Sequence, residues 1–113
     1  MCMVQRVLFL FILQAAFFYN SVSARDVETH ILEIVGHKFF PKILNVSRDK
    51  LIKLEIFNKD ATVEEFESFD LKREKIVPSH KKIVVTVGPL KPGEYSFFGE
   101  FHQDTAQGKI IVK

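Results

Sequence analysis

Residues 51–57 alternate cleanly. Leu51, Lys53, Glu55 and Phe57 stand on one side and Ile52, Leu54 and Ile56 on the other, the period-two pattern of a strand with one face in a core. Residues 30–35 (HILEIV) repeat the pattern, with Ile31 and Glu33 opposing Leu32 and Ile34. Residues 42–46 (KILNV), 62–67, 81–87 (KKIVVTV), 94–98 and 109–112 read as further strands. Turn chemistry separates them: Gly36-His37-Lys38, Ser47-Arg48-Asp49-Lys50, Asn58-Lys59-Asp60 and Pro89-Leu90-Lys91-Pro92-Gly93. Strands at a spacing of roughly 8 to 12 residues predict an all-β sandwich or barrel rather than βαβ units. Over 69–75, a helical turn, a solvated loop and a strand edge fit the residues equally well. No repeat, linker or low-complexity tract divides the rest, which reads as one small domain over 25–113.

Residues 1–24 break this pattern. Arg6 precedes an uninterrupted apolar run, 7–13 (VLFLFIL), which Ala15, Ala16, Phe17 and Phe18 extend. Val22-Ser23-Ala24 then offers small or modest residues before polar Arg25-Asp26. This is the layout of a signal peptide cleaved after Ala24. The apolar stretch covers about a dozen residues, short of the ~20 of a membrane-spanning helix. The sequence therefore predicts export to the periplasm with no membrane anchor after cleavage. Cleavage changes the chemistry of what remains, because Cys2, Met1 and Met3 are the chain's only sulfur residues. The domain over 25–113 would have no disulfide and would depend on its core alone. Its 16 basic residues fall by one with the loss of Arg6, against 14 acidic, so no basic nucleic-acid surface is indicated.

The order of motifs resembles the cupredoxin family. Phe39-x-Pro41 is similar to the family's opening corner, and Asn58 followed by Glu64, Glu65 and Phe66 to the stretch that ends in a histidine ligand. Residues 89–97 (PLKPGEYSF) are similar to the turn into the penultimate strand. Gly99-x-x-His102, then Gly108 to Val112, has the shape of the ligand loop and last strand. The resemblance implies a cupredoxin-like Greek-key β-sandwich. Within the family, Glu65-Phe66-Glu67, Lys72-Arg73-Glu74-Lys75, Val77-Pro78 and the ending Gly108-Lys109-Ile110-Ile111-Val112 resemble the EfeO-type domains that accompany bacterial iron permeases. A blue-copper centre needs a thiolate and two histidines. By the same resemblance Gly99 stands in the cysteine's place, Glu64 near the first histidine and Ala106 near the methionine, so no blue-copper centre is expected.

The resemblance places Glu64, Glu65, Glu67 and His102 as candidate metal ligands. Carboxylate oxygens with one imidazole suit iron or Cu(II) and do not suit Cu(I). If Phe66 points into the core, strand alternation puts Glu64 inward and Glu65 and Glu67 outward, and a shift of one residue reverses this. The plainer reading of the acidic triplet is an edge strand kept from aggregating by its charges, and of His102 a loop residue. His30, His37 and His80 read as surface histidines, with His37 a distant ligand candidate. Phe39, Phe40, Phe57, Phe66, Tyr95, Phe97 and Phe98 read as core, and Phe69 and Phe101 as possible contacts for a partner. No catalytic set is visible. The resemblance implies an accessory protein of iron or copper uptake that binds or presents a metal ion to a membrane permease or another periplasmic uptake component. The alternative is a metal-free β-sandwich that works as a protein-interaction module. The exported, mature protein is expected to melt at the same temperature with and without reductant, followed by circular dichroism. A reductant-dependent Tm would place Cys2 in the mature protein.

Overall fold

A computed structural model describes residues 26–113; the signal segment predicted over 1–24 lies outside the described residues. The alternating segments form nine strands: β1 (Val27–Val35), β2 (Lys38–Phe40), β3 (Ile43–Val46), β4 (Leu51–Asn58), β5 (Glu64–Ser68), β6 (Arg73–Val77), β7 (Lys82–Val87), β8 (Gly93–Gly99) and β9 (Gln107–Val112). A 3₁₀ turn, Glu100–His102, leads from β8 towards β9. One sheet has the order β2-β1-β4-β7 and the other β3-β9-β8-β5-β6, with β1 parallel to β4 and β3 parallel to β9. The domain is an all-β sandwich of two sheets.

The alternation of β4 is realised in full. Ile52, Leu54 and Ile56 are wholly enclosed and meet Leu32 and Ile34 of β1 and Val85 and Val87 of β7 in the core. The other sheet contributes Leu44, Val46, Phe66, Val77, Phe97, Ile110 and Val112. At its centre Phe39 stands edge-on to Phe97 at 5.0 Å and to Phe66 at 6.3 Å, the geometry that aromatic quadrupoles favour. Burying each ring is worth about 2–3 kcal/mol, the main resource of a domain without disulfides.

Several expectations are corrected. β1 begins at Val27, three residues before the predicted start, and the opening corner contains a strand of its own, β2. Phe40 on that strand points outward because its neighbour Phe39 takes the inward position. Residues 73–77 form β6, the edge partner of β5, so β5 is an interior strand between β8 and β6. The reading of the acidic triplet as an edge strand fails for that reason. Across the gap between the sheets, Arg73 Nε donates to Thr86 O at 3.1 Å and Lys75 Nζ to Val84 O at 3.0 Å. These basic side chains therefore satisfy carbonyls on the free side of β7.

Parallel pairing decides where the loops lie. β1 and β4 both end at one pole of the sandwich; β5 returns from it, β6 and β8 run back to it, and β7 and β9 leave it. His37, His80 and His102 follow β1, β6 and β8, so all three sit at this pole. His30 lies within β1, where its Nε2 is 2.6 Å from Glu28 Oε1. Hydrogen bonding from Ser47, and then from His30, holds the Glu28 carboxyl down at about 2 against an ordinary 4.5. A depressed carboxyl contributes stability that is complete above its unfolded pKa and is lost as pH falls through the folded one. The stability gap between wild type and Glu28→Gln is therefore expected to shrink as pH falls from about 4.5 to about 2. Urea denaturation at a series of pH values reads this directly, and a gap independent of pH would contradict it.

Candidate functional site

Four loops build the pole. The β1–β2 connection, Val35-Gly36-His37-Lys38, is a two-residue hairpin turn in which Gly36 and His37 both have a φ of 58°. Two successive positive φ values are what a type I′ turn demands. They aim both backbone N–H groups at one acceptor: Gly36 N donates to Asp60 Oδ1 at 2.8 Å and His37 N to Asp60 Oδ2 at 2.9 Å. Asp60, in the β4–β5 loop, is the hub of the pole. Its N–H donates to Asn58 Oδ1 at 2.9 Å, and its carbonyl accepts from Ser79 Oγ at 3.0 Å and His80 N at 3.3 Å in the β6–β7 loop. Burial alone would raise its carboxyl, but the His37 and Gly36 N–H groups and the nearby imidazoles bring it below the ordinary value. Asn58 is itself enclosed and spans the sheets, its amide donating to Thr62 O at 2.8 Å and Val77 O at 3.1 Å.

The fourth loop is held by Glu64, the first residue of β5. Its side chain is only 1% exposed and points inward with Phe66 and Ser68. Oε1 accepts from Glu65 N and Phe101 N, both at 2.9 Å, and Oε2 lies 2.7 Å from His102 Nδ1. A carboxylate offers only acceptors, so Nδ1 is the donor and in the neutral ring Nε2 carries the free lone pair. Among the described residues Nε2 has no partner, yet no enclosed polar side-chain atom lacks one, so Nε2 reaches solvent. The His102 ring stacks on His37, with centroids 3.6 Å apart and planes at 12°. His37 Nδ1 is 3.6 Å from Asp60 Oδ2, ion-pair range rather than a hydrogen bond. Two imidazoles thus lie face to face, each backed by a carboxylate.

The four predicted ligands do not form one set. Glu64 and His102 meet at the pole. Glu65 and Glu67 face outward on β5, where their carboxylate oxygens lie within 4.8 Å of each other and of Glu100. Burial, a hydrogen bond with Glu65 and the charges of Glu74 and Glu100 push the Glu67 carboxyl up. The sequence reading underrated His37 and missed Asp60. The signal available for His37 was topological: it follows a strand parallel to β4, so it shares an end with the β8–β9 loop. Nothing in the sequence marks Asp60 as more than a strand breaker, since its role rests on backbone donors from a distant turn.

Gly99 decides which group can occupy this end of the fold. A Cβ there would sit 2.6 Å from Glu64 Cδ, 2.7 Å from Oε2 and 2.7 Å from Ala106 Cβ. A cysteine at this position and the Glu64 carboxylate exclude each other, and the described residues contain no thiol. Residues 26–113 therefore offer no thiolate to a blue-copper centre. Gly99→Ala is expected to cost about 1–3 kcal/mol by overpacking. In urea denaturation, Gly99→Ala/Glu64→Ala is expected to cost less than the two single changes together, by about 0.5–3 kcal/mol. Strict additivity would show that the carboxylate does not fill this space.

Known proteins bear on this geometry. The family profile described as a cupredoxin-like domain matches residues 7–112. An uncharacterized protein of Rickettsia prowazekii (strain Madrid E) is 49% identical over 107 residues, covering 91% of this chain and 86% of its own. Auracyanin A, a "blue" copper protein from Chloroflexus aurantiacus, superposes with a TM-score of 0.67 at 15% identity over 77% of this chain and 99% of its own. The metal-binding domain of the Cu(I)-exporting P-type ATPase CopA of Streptococcus pneumoniae D39 does so with a TM-score of 0.69 at 9% identity, over 80% of this chain and 89% of its own. At such identities the structural likeness speaks of fold. With the profile spanning nearly the whole chain, the protein belongs to the cupredoxin-like domain family.

Proposed function

We propose that the protein is a periplasmic accessory of bacterial metal uptake, of the EfeO type, which holds an iron or copper ion as cargo at its histidine pole and passes it to a membrane permease or another uptake component. One observation carries this reading: a buried glutamate fixes His102 through Nδ1 and leaves Nε2 bare to solvent, with a second imidazole stacked beside it. Imidazole ligands are commonly held in this way, the carboxylate behind the ring setting its tautomer and raising its basicity. Glu64 then stands behind the ligand and not on the ion, since both its oxygens are engaged by the protein. Imidazole suits borderline ions, and without thiolate or thioether the residues over 25–113 give Cu(I) no soft ligand. The leader-like residues 1–24 support export, and the structural likeness to an apo copper-binding protein supports metal binding.

A rival reading has its own observation. The hydrogen bonds of Glu64 tie β5 to the 3₁₀ turn through protein groups alone, as a metal-free interaction module would require. Calorimetric titration with Cu(II) and Fe(III) separates the two. His102→Ala is expected to weaken binding at least tenfold, about 1.4 kcal/mol. The copper-loaded protein is expected to lack the intense blue thiolate-to-copper absorption, because residues 25–113 offer no thiolate for a Cu–S bond. Affinity is expected to fade in acid, since imidazole binds metal only when deprotonated. Undiminished Cu(II) and Fe(III) binding in His102→Ala and in His37→Ala would abandon the pole as the metal site.

A further inference from the structure

The outer face of the five-stranded sheet, around β5, β6 and β8, combines exposed apolar side chains with glutamates that have no counter-charge. Ladder register fixes the arrangement. Glu65 faces Ile76 across the β5–β6 ladder and Glu67 faces Glu74, while across the β5–β8 ladder Glu67 faces Phe98. Glu100 follows Gly99, which pairs with Phe66, so it falls beside Glu65. Phe69, 74% exposed, leans on Phe98 with ring centroids 5.5 Å apart, and Ile76 is 44% exposed. The face is therefore an apolar strip of Phe69, Phe98 and Ile76 set among four carboxylates.

Elsewhere on the described residues each glutamate has a lysine or histidine partner. Glu28 meets His30, Glu33 meets Lys59, Glu55 meets Lys82, Glu64 meets His102 and Glu94 meets Lys109. Among the described residues Glu65, Glu67, Glu74 and Glu100 meet no basic group within ion-pair distance, although Lys72 and Arg73 line the same hollow as Glu67 and Glu74, and Glu67 and Glu74 oppose each other directly across a ladder. Like charges so placed destabilise a sheet. General acidity does not explain the concentration, because acidic and basic residues are nearly equal in number over the chain. Edge protection does not explain it either. β5 is interior, and the basic residues of β6 guard that side.

We infer that this sheet face docks a partner protein through a segment bearing lysine or arginine interleaved with apolar side chains. The cationic groups would relieve the repulsion among the four glutamates, and the apolar ones would cover Phe69, Phe98 and Ile76. Exposed aromatic anchors with charges around them are the usual anatomy of a protein interface. A bare metal ion would engage the carboxylates and leave the aromatic strip in water, so the apolar content selects a protein as occupant. The inference requires no metal at the histidine pole.

The probe is a synthetic seven-residue peptide alternating lysine and leucine, with a glutamate-for-lysine version and a lysine-only version as controls. Isotope-labelled protein expressed from its full chain is titrated with each and followed by amide chemical shifts. Shifts are expected to concentrate on β5, β6 and β8 with the alternating peptide, weakly with the lysine-only peptide and not with the anionic one. Glu67→Lys/Glu74→Lys is expected to weaken binding at least tenfold and Phe69→Ala at least threefold. The double lysine variant is expected to melt no lower than wild type, and Glu67→Gln/Glu74→Gln gives the same test with less perturbation. Shifts that map elsewhere, or affinity indifferent to these changes, would overturn the docking face. So would Mn(II) saturating the same carboxylates while Phe69→Ala leaves peptide binding untouched.

Discussion

One carboxylate organises the functional end of this molecule. Glu64 is removed from water at the rim of the core and accepts from two backbone N–H groups and an imidazole. A buried carboxylate is stable only when its oxygens are engaged in this way, and hydrogen bonds to a charged group contribute about 1.5–3 kcal/mol each. Because Phe101 N is one donor and His102 Nδ1 another, the whole 3₁₀ turn is positioned from β5. The space for the side chain exists because residue 99 has no Cβ. Gly99, Glu64 and His102 are thus three expressions of one packing solution, and changing any of them re-poses the problem for the other two.

The strands and the core were legible because period-two alternation needs no knowledge of partners. Ile52, Leu54 and Ile56 could only be interior, and they are. The pattern faltered where a strand is short or carries charge on both sides. β2 has three residues, too few to show a period, and Phe39-Phe40 looked uniformly apolar. β6 has Lys75 and Arg73 on its inward side, since at a sheet edge a long basic chain can reach past the core to a carbonyl opposite. No local pattern announces that.

The candidate site divides along the same line. Alternation left two registers open, and β5 takes the one with Phe66 in the core, which turns Glu64 inward and its neighbours outward. The partnership of His37 with His102 depended on a turn type and on parallel pairing of strands separated by two others in sequence. Asp60 depended on the concavity that two left-handed residues create. These are tertiary facts: each donor is ordinary in its own segment, and the site appears only when four loops converge. That convergence also explains how a domain without disulfides keeps a defined pole, since Asp60 and Asn58 connect loops by hydrogen bonds to backbone where covalent staples are absent.

The reach of Arg73 and Lys75 to the carbonyls of β7 has a consequence for life at high concentration. A sandwich offers four strand margins, and each can nucleate fibrils by recruiting the same strand from another molecule. Here β6 and β7 blunt each other with guanidinium and ammonium groups, and the two remaining margins, β2 and β3, are only three and four residues long. β2 covers β1 only over residues 33–35, so the stretch 27–32 of β1 lies outside this protection. Along the β6–β7 side, therefore, a neighbouring molecule meets basic side chains rather than open backbone.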